Sequence, residues 1–217
     1  MKYFTHWLLP VITLFIIAYL RLQDGYLTEV VRLNSFDYLQ STDPVVQSKD
    51  VIIVELDESA VEQYGQWPWP RDALADIVWK LREQGAGIIV MPILFSEPDS
   101  HGQDMTFIEN IAGNGVVIAQ VGTTQTNRNA VPRGVAKIGD PIPWLFEWPG
   151  MLGPIELLGI NADGVGVINI APEIDGVVRR MPTIMRVGEE TYPAMAVETI
   201  RVAMGAPSYQ IKADDTG

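Results

Sequence analysis

The sequence predicts an α/β fold: a mostly parallel sheet flanked by helices, with a late β-hairpin, preceded by one transmembrane helix. Short apolar runs at residues 51–57, 87–95 and 115–121 are separated by segments with helical spacing of apolar side chains. Strands that alternate with helices in this way indicate a parallel sheet with helices on its faces. The hairpin is predicted in residues 164–187, where Asp175-Gly176 marks its turn.

The transmembrane prediction comes from residues 3–20, which are almost wholly apolar apart from Thr5, His6 and Thr13. A run of about 18–20 apolar residues is long enough to cross a hydrocarbon core of about 30 Å. A cleaved signal peptide is the alternative, but no small-residue cleavage site follows the run. We therefore expect an anchor in residues 1–22, one pass through a bacterial inner membrane, and the main domain outside the cytoplasm.

Two further segments follow the predicted anchor. Residues 23–43 are expected to form a membrane-proximal helix, because Val30, Val31 and Leu39 recur at roughly helical spacing among polar residues. This helix is the candidate contact in a homodimer. Residues 44–217 are expected to form the extracytoplasmic domain, incomplete at its C-terminus. Its helices are predicted at residues 59–64, 71–84, from 104 and from 192, and a last strand begins near residue 208.

The stretch Gln66-Trp67-Pro68-Trp69-Pro70-Arg71-Asp72 is the most distinctive in the chain. Each proline fixes its own φ and pushes the preceding residue out of the helical region, so Trp67 and Trp69 are held extended. Pro70 suits the start of a helix. The stretch therefore predicts a rigid elbow, either a structural corner with buried rings or a surface that faces a ligand or partner.

Composition excludes several classes of protein. The 217 residues carry a net charge of −12, which argues against nucleic acid as a partner. The absence of cysteine excludes disulfides, thiolate metal sites and cysteine catalysis. The sequence contains no phosphate-binding loop, nucleophile elbow or zinc-protease motif, so an enzyme is poorly supported and no catalytic residue is predicted.

Carboxylates follow the predicted strands. Asp57, Glu58, Glu97, Asp99 and Asp104 fall at or just after strand ends, and ligands of open α/β sheets bind at that edge. Oxygen ligands of this kind suit Mg²⁺ or Ca²⁺, which leaves a metal-dependent hydrolase as an alternative. The competing interpretation is that they cap helices and face solvent. Our prediction is that no metal or cofactor is bound.

Three arginines are candidates for recognition or signalling. Arg71 offers a planar donor fork that suits a carboxylate, and we expect it to pair with an acid at the first strand end, such as Asp57. Arg179 and Arg180 are adjacent on a predicted strand, so at most one of them points inward. The expected arrangement is one buried ion pair and one solvated side chain.

Together these landmarks resemble the CHASE type 2 domain, an extracytoplasmic sensory domain of bacterial transmembrane receptors. The resemblance runs from about Leu33 to Gly205. Where the family commonly has an aspartate two or three residues before the Leu94-Phe95 pair, this chain has Met91-Pro92-Ile93. The matching segments are Glu55-Leu56-Asp57-Glu58-Ser59, Gly65-Gln66-Trp67-Pro68-Trp69-Pro70-Arg71, Leu94-Phe95-Ser96-Glu97-Pro98-Asp99 with Asp104, Asp175-Gly176-Val177-Val178-Arg179-Arg180-Met181-Pro182, and Tyr192-Pro193-Ala194.

The resemblance implies a receptor that senses an unknown small-molecule or protein signal and controls a cytoplasmic output domain. That output is typically an adenylate or guanylate cyclase, a histidine kinase or a serine/threonine kinase, and it lies outside this chain. The candidate ligand-binding or signalling residues are Asp57, Trp67, Trp69, Arg71, Asp99, Asp104, Arg179 and Arg180. A ligand-free periplasmic module that only positions protein partners is a further alternative.

Overall fold

The computed structural model describes residues 2–22, 25–43 and 48–213. The chain divides into two compact units. The first consists of residues 1–55 and 172–177, and the second of residues 56–171 and 178–217. Both units contain helices, and the assigned strands all lie in the second, so the predicted mixed α/β architecture is confirmed.

The first unit contains helices α1 (Lys2–Leu22) and α2 (Tyr26–Thr42). The prediction of a transmembrane helix here is wrong. Among the described residues, no helix combines the length and the apolar character needed to cross a membrane. Polar residues Thr5, His6 and Thr13 interrupt the apolar run in α1. The predicted single pass through a bacterial membrane is therefore not supported.

Residues 51–57 do not form the predicted buried strand. They carry no strand assignment, and their apolar side chains are exposed, with Ile53 at 89%. An extended apolar run becomes a strand only when a neighbouring strand satisfies its backbone groups. Whether a neighbouring strand is available depends on residues elsewhere in the chain. The sequence of residues 51–57 therefore cannot show whether they form a strand.

The described part of the second unit contains five α-helices, nine strands and one turn of 3-10 helix at Ile142–Trp144. The helices are α3 (Glu58–Tyr64), α4 (Arg71–Glu83), α5 (Asp104–Ile111), α6 (Glu156–Asn161) and α7 (Met195–Ala203). The strands are β1 (Ile89–Leu94), β2 (Val116–Thr123), β3 (Val135–Ile138), β4 (Phe146–Glu147), β5 (Gly150–Leu152), β6 (Gly164–Val167), β7 (Ile184–Val187), β8 (Glu190–Pro193) and β9 (Tyr209–Lys212).

The central sheet is mostly parallel, as predicted. Strand β2 pairs with β1 and with β6 in parallel, and its last residues pair with β5 in the antiparallel sense. Ile118 of β2 lies opposite both Met91 of β1 and Val165 of β6. Two smaller sheets complete the unit: β3 pairs with β9 in parallel, and β7 pairs with both β4 and β8.

The late hairpin exists, but its strands differ from those predicted. Strand β6 pairs with β2, while β7 turns back at Gly188 to pair with β8. The predicted turn at Asp175-Gly176 does form, since the amide of Glu173 donates to the carbonyl of Val177 at 3.0 Å. A tight turn is a local property, whereas strand pairing depends on which distant strand is available.

Helices cover both faces of the central sheet because side chains of β2 alternate between them. Val116 and Ile118 belong to one cluster of buried side chains, with residues of α4 and α5 such as Val78 and Ile111. Val117 and Ala119 belong to another cluster, with Met195 of α7. Helix α7 begins after Pro193, which ends β8 instead of occupying the first turn of a helix as predicted.

A buried carboxylate connects α7 to three other parts of the unit. Glu198 is fully buried and accepts hydrogen bonds from Arg201 at 2.9 Å, from Arg133 at 3.2 Å and from the amide of Val165 at 3.3 Å. The hydroxyl of Tyr209 also donates to it. Gly164 permits this approach, since a Cβ there would lie 2.8 Å from Cγ of Glu198.

These contacts decide the protonation of Glu198. Burial by itself would raise its pKa, but hydrogen bonds from Arg201 and Tyr209 and the charge of Arg133 outweigh burial, so the pKa lies below its ordinary value of 4.5. Burial and the bond to Glu198 raise the pKa of Tyr209. Glu198 is therefore a carboxylate at neutral pH.

We expect Glu198→Gln to lower the free energy of unfolding at pH 7 by about 3 kcal/mol, because Arg201 and Arg133 lose their anionic partner. Urea denaturation of the full chain measures this change. The exposed Glu109→Gln on α5 is the matched control and is expected to change stability by less than about 0.5 kcal/mol.

The same variant gives a pH test. Because the folded pKa is lowered, the stabilisation by Glu198 is complete above about pH 4.5 and is lost as pH falls through the folded pKa. The difference between wild type and Glu198→Gln should shrink below about pH 4. A difference that stays constant from pH 7 to pH 3 would contradict an ionised Glu198.

Candidate functional site

Helix α3 begins with a carboxylate cap at the first predicted site residue. The side chain of Asp57 accepts hydrogen bonds from the amide of Ala60 at 3.0 Å and the hydroxyl of Ser59 at 2.7 Å. Both hydrogen bonds lower the pKa of Asp57, and the bond from Ser59 has the larger effect. Asp57 is therefore the N-cap of α3, and the hydroxyl of Ser59 supports it.

The elbow holds its two tryptophans in different environments. Trp69 is buried, and its indole N–H donates to the carbonyl of Gly65 at 2.8 Å. Trp67 is half exposed, and its ring centroid lies 5.9 Å from that of Trp69. The exposed ring of Tyr64 lies 5.4 Å from that of Trp69. The elbow is thus both a structural corner and an aromatic surface, with Trp69 serving the first role and Trp67 available for the second.

Arg71 joins the elbow to the loop that follows β1. Its Nε donates to Asp104 at 3.2 Å, and its Nη2 donates to the carbonyl of Glu97 at 3.1 Å. Its guanidinium also lies 4.4 Å from the ring centroid of Phe95, a cation–π distance. Arg71 and Asp104 are only 11% and 16% exposed. Arg71 therefore binds the loop after β1 through Asp104. The hypothesis that it pairs with Asp57 is wrong.

The carboxylates of this loop organise its backbone. Asp104 accepts from the amide of Asp99 at 2.9 Å. Asp99 accepts from the amides of His101 at 3.2 Å and Gln103 at 3.1 Å. The structure thus brings Arg71, Asp99 and Asp104 together in one network, while Asp57 is occupied at the start of α3.

This geometry favours the structural interpretation of the strand-end carboxylates. Within residues 2–22, 25–43 and 48–213, no three or more His, Asp or Glu side chains are placed to hold a metal ion together. Asp99 already accepts from two backbone amides, and Asp104 accepts from a backbone amide and from Arg71. The network can therefore hold the elbow rigidly.

The structure places Arg179 and Arg180 in an irregular segment. They belong to residues 177–183, which form no strand, so the prediction that they sit on adjacent faces of a strand is wrong. Arg179 is half-buried and Arg180 is exposed. The strand begins only at Ile184, where pairing with β8 starts.

Sequence reasoning missed a cleft of about 360 Å³ in the second unit. It lies between the loop that follows β2 and helix α6. The sequence from Gly122 to Gly153 has no clear periodicity, so it does not predict a cleft. The available signal was Asn127-Arg128-Asn129, because asparagine tolerates the left-handed backbone that such loops need. The loop lines the cleft with Asn129, Val131 and Pro132, and α6 lines it with Glu156 and Ile160.

We expect Arg71→Ala to lower the free energy of unfolding by about 2–3 kcal/mol, since Asp104 would remain partly buried without its cation. Arg71→Lys should lie between wild type and Arg71→Ala, because lysine keeps the charge but lacks the planar fork. Chemical denaturation measures both. Lys80→Ala, on an exposed position of the same helix, is the control. An unchanged midpoint in Arg71→Ala would show that the elbow is held by other contacts.

The sequence profile of the CHASE2 domain matches residues 11–215. The match therefore includes the elbow, the Arg71 network, the cleft and the Glu198 cluster. No curated protein and no solved structure shows significant similarity to the chain. CHASE2 domains are sensory domains of receptors and are not catalytic. Because the profile covers nearly the whole sequence, the chain belongs to the CHASE2 domain family.

Proposed function

We propose that this chain is the extracytoplasmic signal-sensing part of a receptor and that it controls a cyclase or kinase output domain. The observation that carries the proposal is the CHASE2 match over residues 11–215. Sensing needs a stable scaffold that presents recognition groups on its surface. The second unit supplies one, with the half-exposed Trp67 on an elbow fixed by Arg71 and Asp104.

The proposed roles of the site residues follow from their contacts. Trp67 offers an exposed ring for recognition, while the buried Trp69 positions it. Asp57 fixes the start of α3, which carries Tyr64 to the same aromatic group. Arg71, Asp99 and Asp104 hold the neighbouring loop. Arg179 and Arg180 are proposed as signalling residues because the family motif includes them.

The proposal is tested on the natural gene product that contains this chain. Reading the gene beyond the codon for Gly217 should reveal a cyclase or kinase domain. Deletion of residues 56–213 should change the activity of that domain severalfold, whereas Lys80→Ala should leave it unchanged. A gene product without such a domain, or an activity indifferent to the deletion, would contradict the proposed control of output.

We also propose that the receptor acts as a homodimer through α2. Val31 and Tyr38 are 65% and 70% exposed and lie seven residues apart, which places them on one side of a helix. Leu39, also exposed, extends this apolar stripe. Exposed apolar stripes at heptad spacing are typical of helices that pair with a second copy.

We expect Tyr38→Asp to shift the full chain from dimer to monomer, because a carboxylate in an apolar helix contact loses hydration without gaining a partner. Analytical ultracentrifugation measures the association state. Gln40→Asp introduces the same charge two residues further on, about 180° from Val31 around the helix, and should leave the dimer intact. Equal effects of the two variants would place the contact elsewhere.

A further inference from the structure

The cleft between the loop after β2 and helix α6 has the size and construction of a small-molecule site. Its volume of about 360 Å³ lies at the lower end of the range for ligand pockets, which is roughly 300–1,000 Å³. Val131, Pro132 and Ile160 give it apolar walls, and Asn129 and Glu156 add polar groups. Such a mixture suits a ligand with an apolar body and one polar end.

The loop side of the cleft is fixed by hydrogen bonds on both sides of Asn129 and Ala130. The amide of Arg128 donates to the carbonyl of Met151 at 2.9 Å, and the amide of Gly153 donates to the carbonyl of Arg128 at 2.8 Å. After these residues, the buried side chain of Gln120 accepts from the amide of Val131 at 3.1 Å and donates to its carbonyl at 3.2 Å. The cleft is therefore preformed, which lowers the entropic cost of binding.

Asn129 is held in a conformation that non-glycine residues rarely adopt. Its φ is +51°, and it is alone in this among the non-glycine residues that the structure describes. Its carbonyl oxygen packs so tightly on Gly153 that a Cβ there would lie 1.9 Å away. Backbone conformations of this kind persist where the surroundings impose them, and they concentrate at binding sites.

The charge of the cleft selects the ligand. Glu156 is the only charged side chain among the described residues that line it. The nearby Arg128 instead donates to the carbonyl of Ser96 at 3.3 Å. The chain as a whole has a net charge of −12, which favours the approach of cations over that of anions.

We propose that this cleft binds a small organic amine, with its ammonium group at Glu156 and its apolar body against Val131, Pro132 and Ile160. Its role as the signal rests on the proposed sensory function, whereas the binding is independent of it. The loop continues from Pro132 into β3, which pairs with β9. A ligand in the cleft therefore contacts the loop that leads into β3, and β3 pairs with β9, the last described strand.

The test is isothermal titration calorimetry of the full chain with 2-phenylethylammonium and its neutral counterpart 2-phenylethanol. The amine should bind one per chain, and the alcohol should bind about three- to fivefold more weakly, the factor expected for one solvent-exposed charge pair. Glu156→Gln should reduce the affinity for the amine by the same factor and leave that for the alcohol unchanged. Glu109→Gln, on α5 outside the cleft, is the matched control.

A second variant locates the site. Ile160 is 71% exposed, so Ile160→Trp should preserve the fold while its larger ring fills the cleft, and it should abolish binding of both compounds. Equal affinities for amine and alcohol, an unchanged affinity in Glu156→Gln, or binding that survives Ile160→Trp would each overturn the proposal. An output activity that responds to some other compound, with no amine bound in the cleft, would overturn the cleft assignment and leave the sensory function standing.

Discussion

The second unit depends above all on one buried charge. Glu198 is a carboxylate without exposure to solvent, and such a group is stable only when donors surround it. Arg201 comes from the same helix, but Arg133, Val165 and Tyr209 come from three other segments. Since all of them must be in place together, the charge fixes α7, β6, the loop before β3 and the first residue of β9 as one arrangement.

A second constraint acts at the carboxyl end of β1. The guanidinium of Arg71 reaches Asp104 and the carbonyl of Glu97 while it covers the ring of Phe95. The elbow therefore keeps its course because an arginine at the start of α4 is bonded to the loop before α5. Within the elbow, Trp69 is turned into the core and donates to the carbonyl of Gly65, whereas Trp67 is left half exposed.

The sequence predicted the features that are local or strongly periodic. Helix α4, strands β1 and β2 and the Asp175-Gly176 turn follow from spacing and turn chemistry alone. Residues 51–57 were misread because an exposed apolar run and a buried strand have the same composition. The hairpin was misplaced because β6 pairs with β2 and not with the strand that follows it in the chain. In this pairing Gly164 lies opposite Val117, which is 47 residues earlier in the sequence. Glu198 was missed because its partners Arg133 and Tyr209 lie far from it in the sequence. The residues around Glu198 look like an ordinary helix with a glutamate on its polar side, so they do not reveal that it is buried.

The loop from Val131 to Arg133 is bonded to two fully buried polar side chains, Gln120 and Glu198. Gln120 holds the backbone of Val131 through two hydrogen bonds, and Glu198 holds the side chain of Arg133 two residues later. The same loop lines the cleft on one side and leads into β3 on the other. A molecule that displaces Val131 must therefore strain the bonds to Gln120 or shift Arg133 against Glu198. Tightly packed polar contacts of this kind favour discrete arrangements over gradual deformation, which is the property that a sensory domain needs.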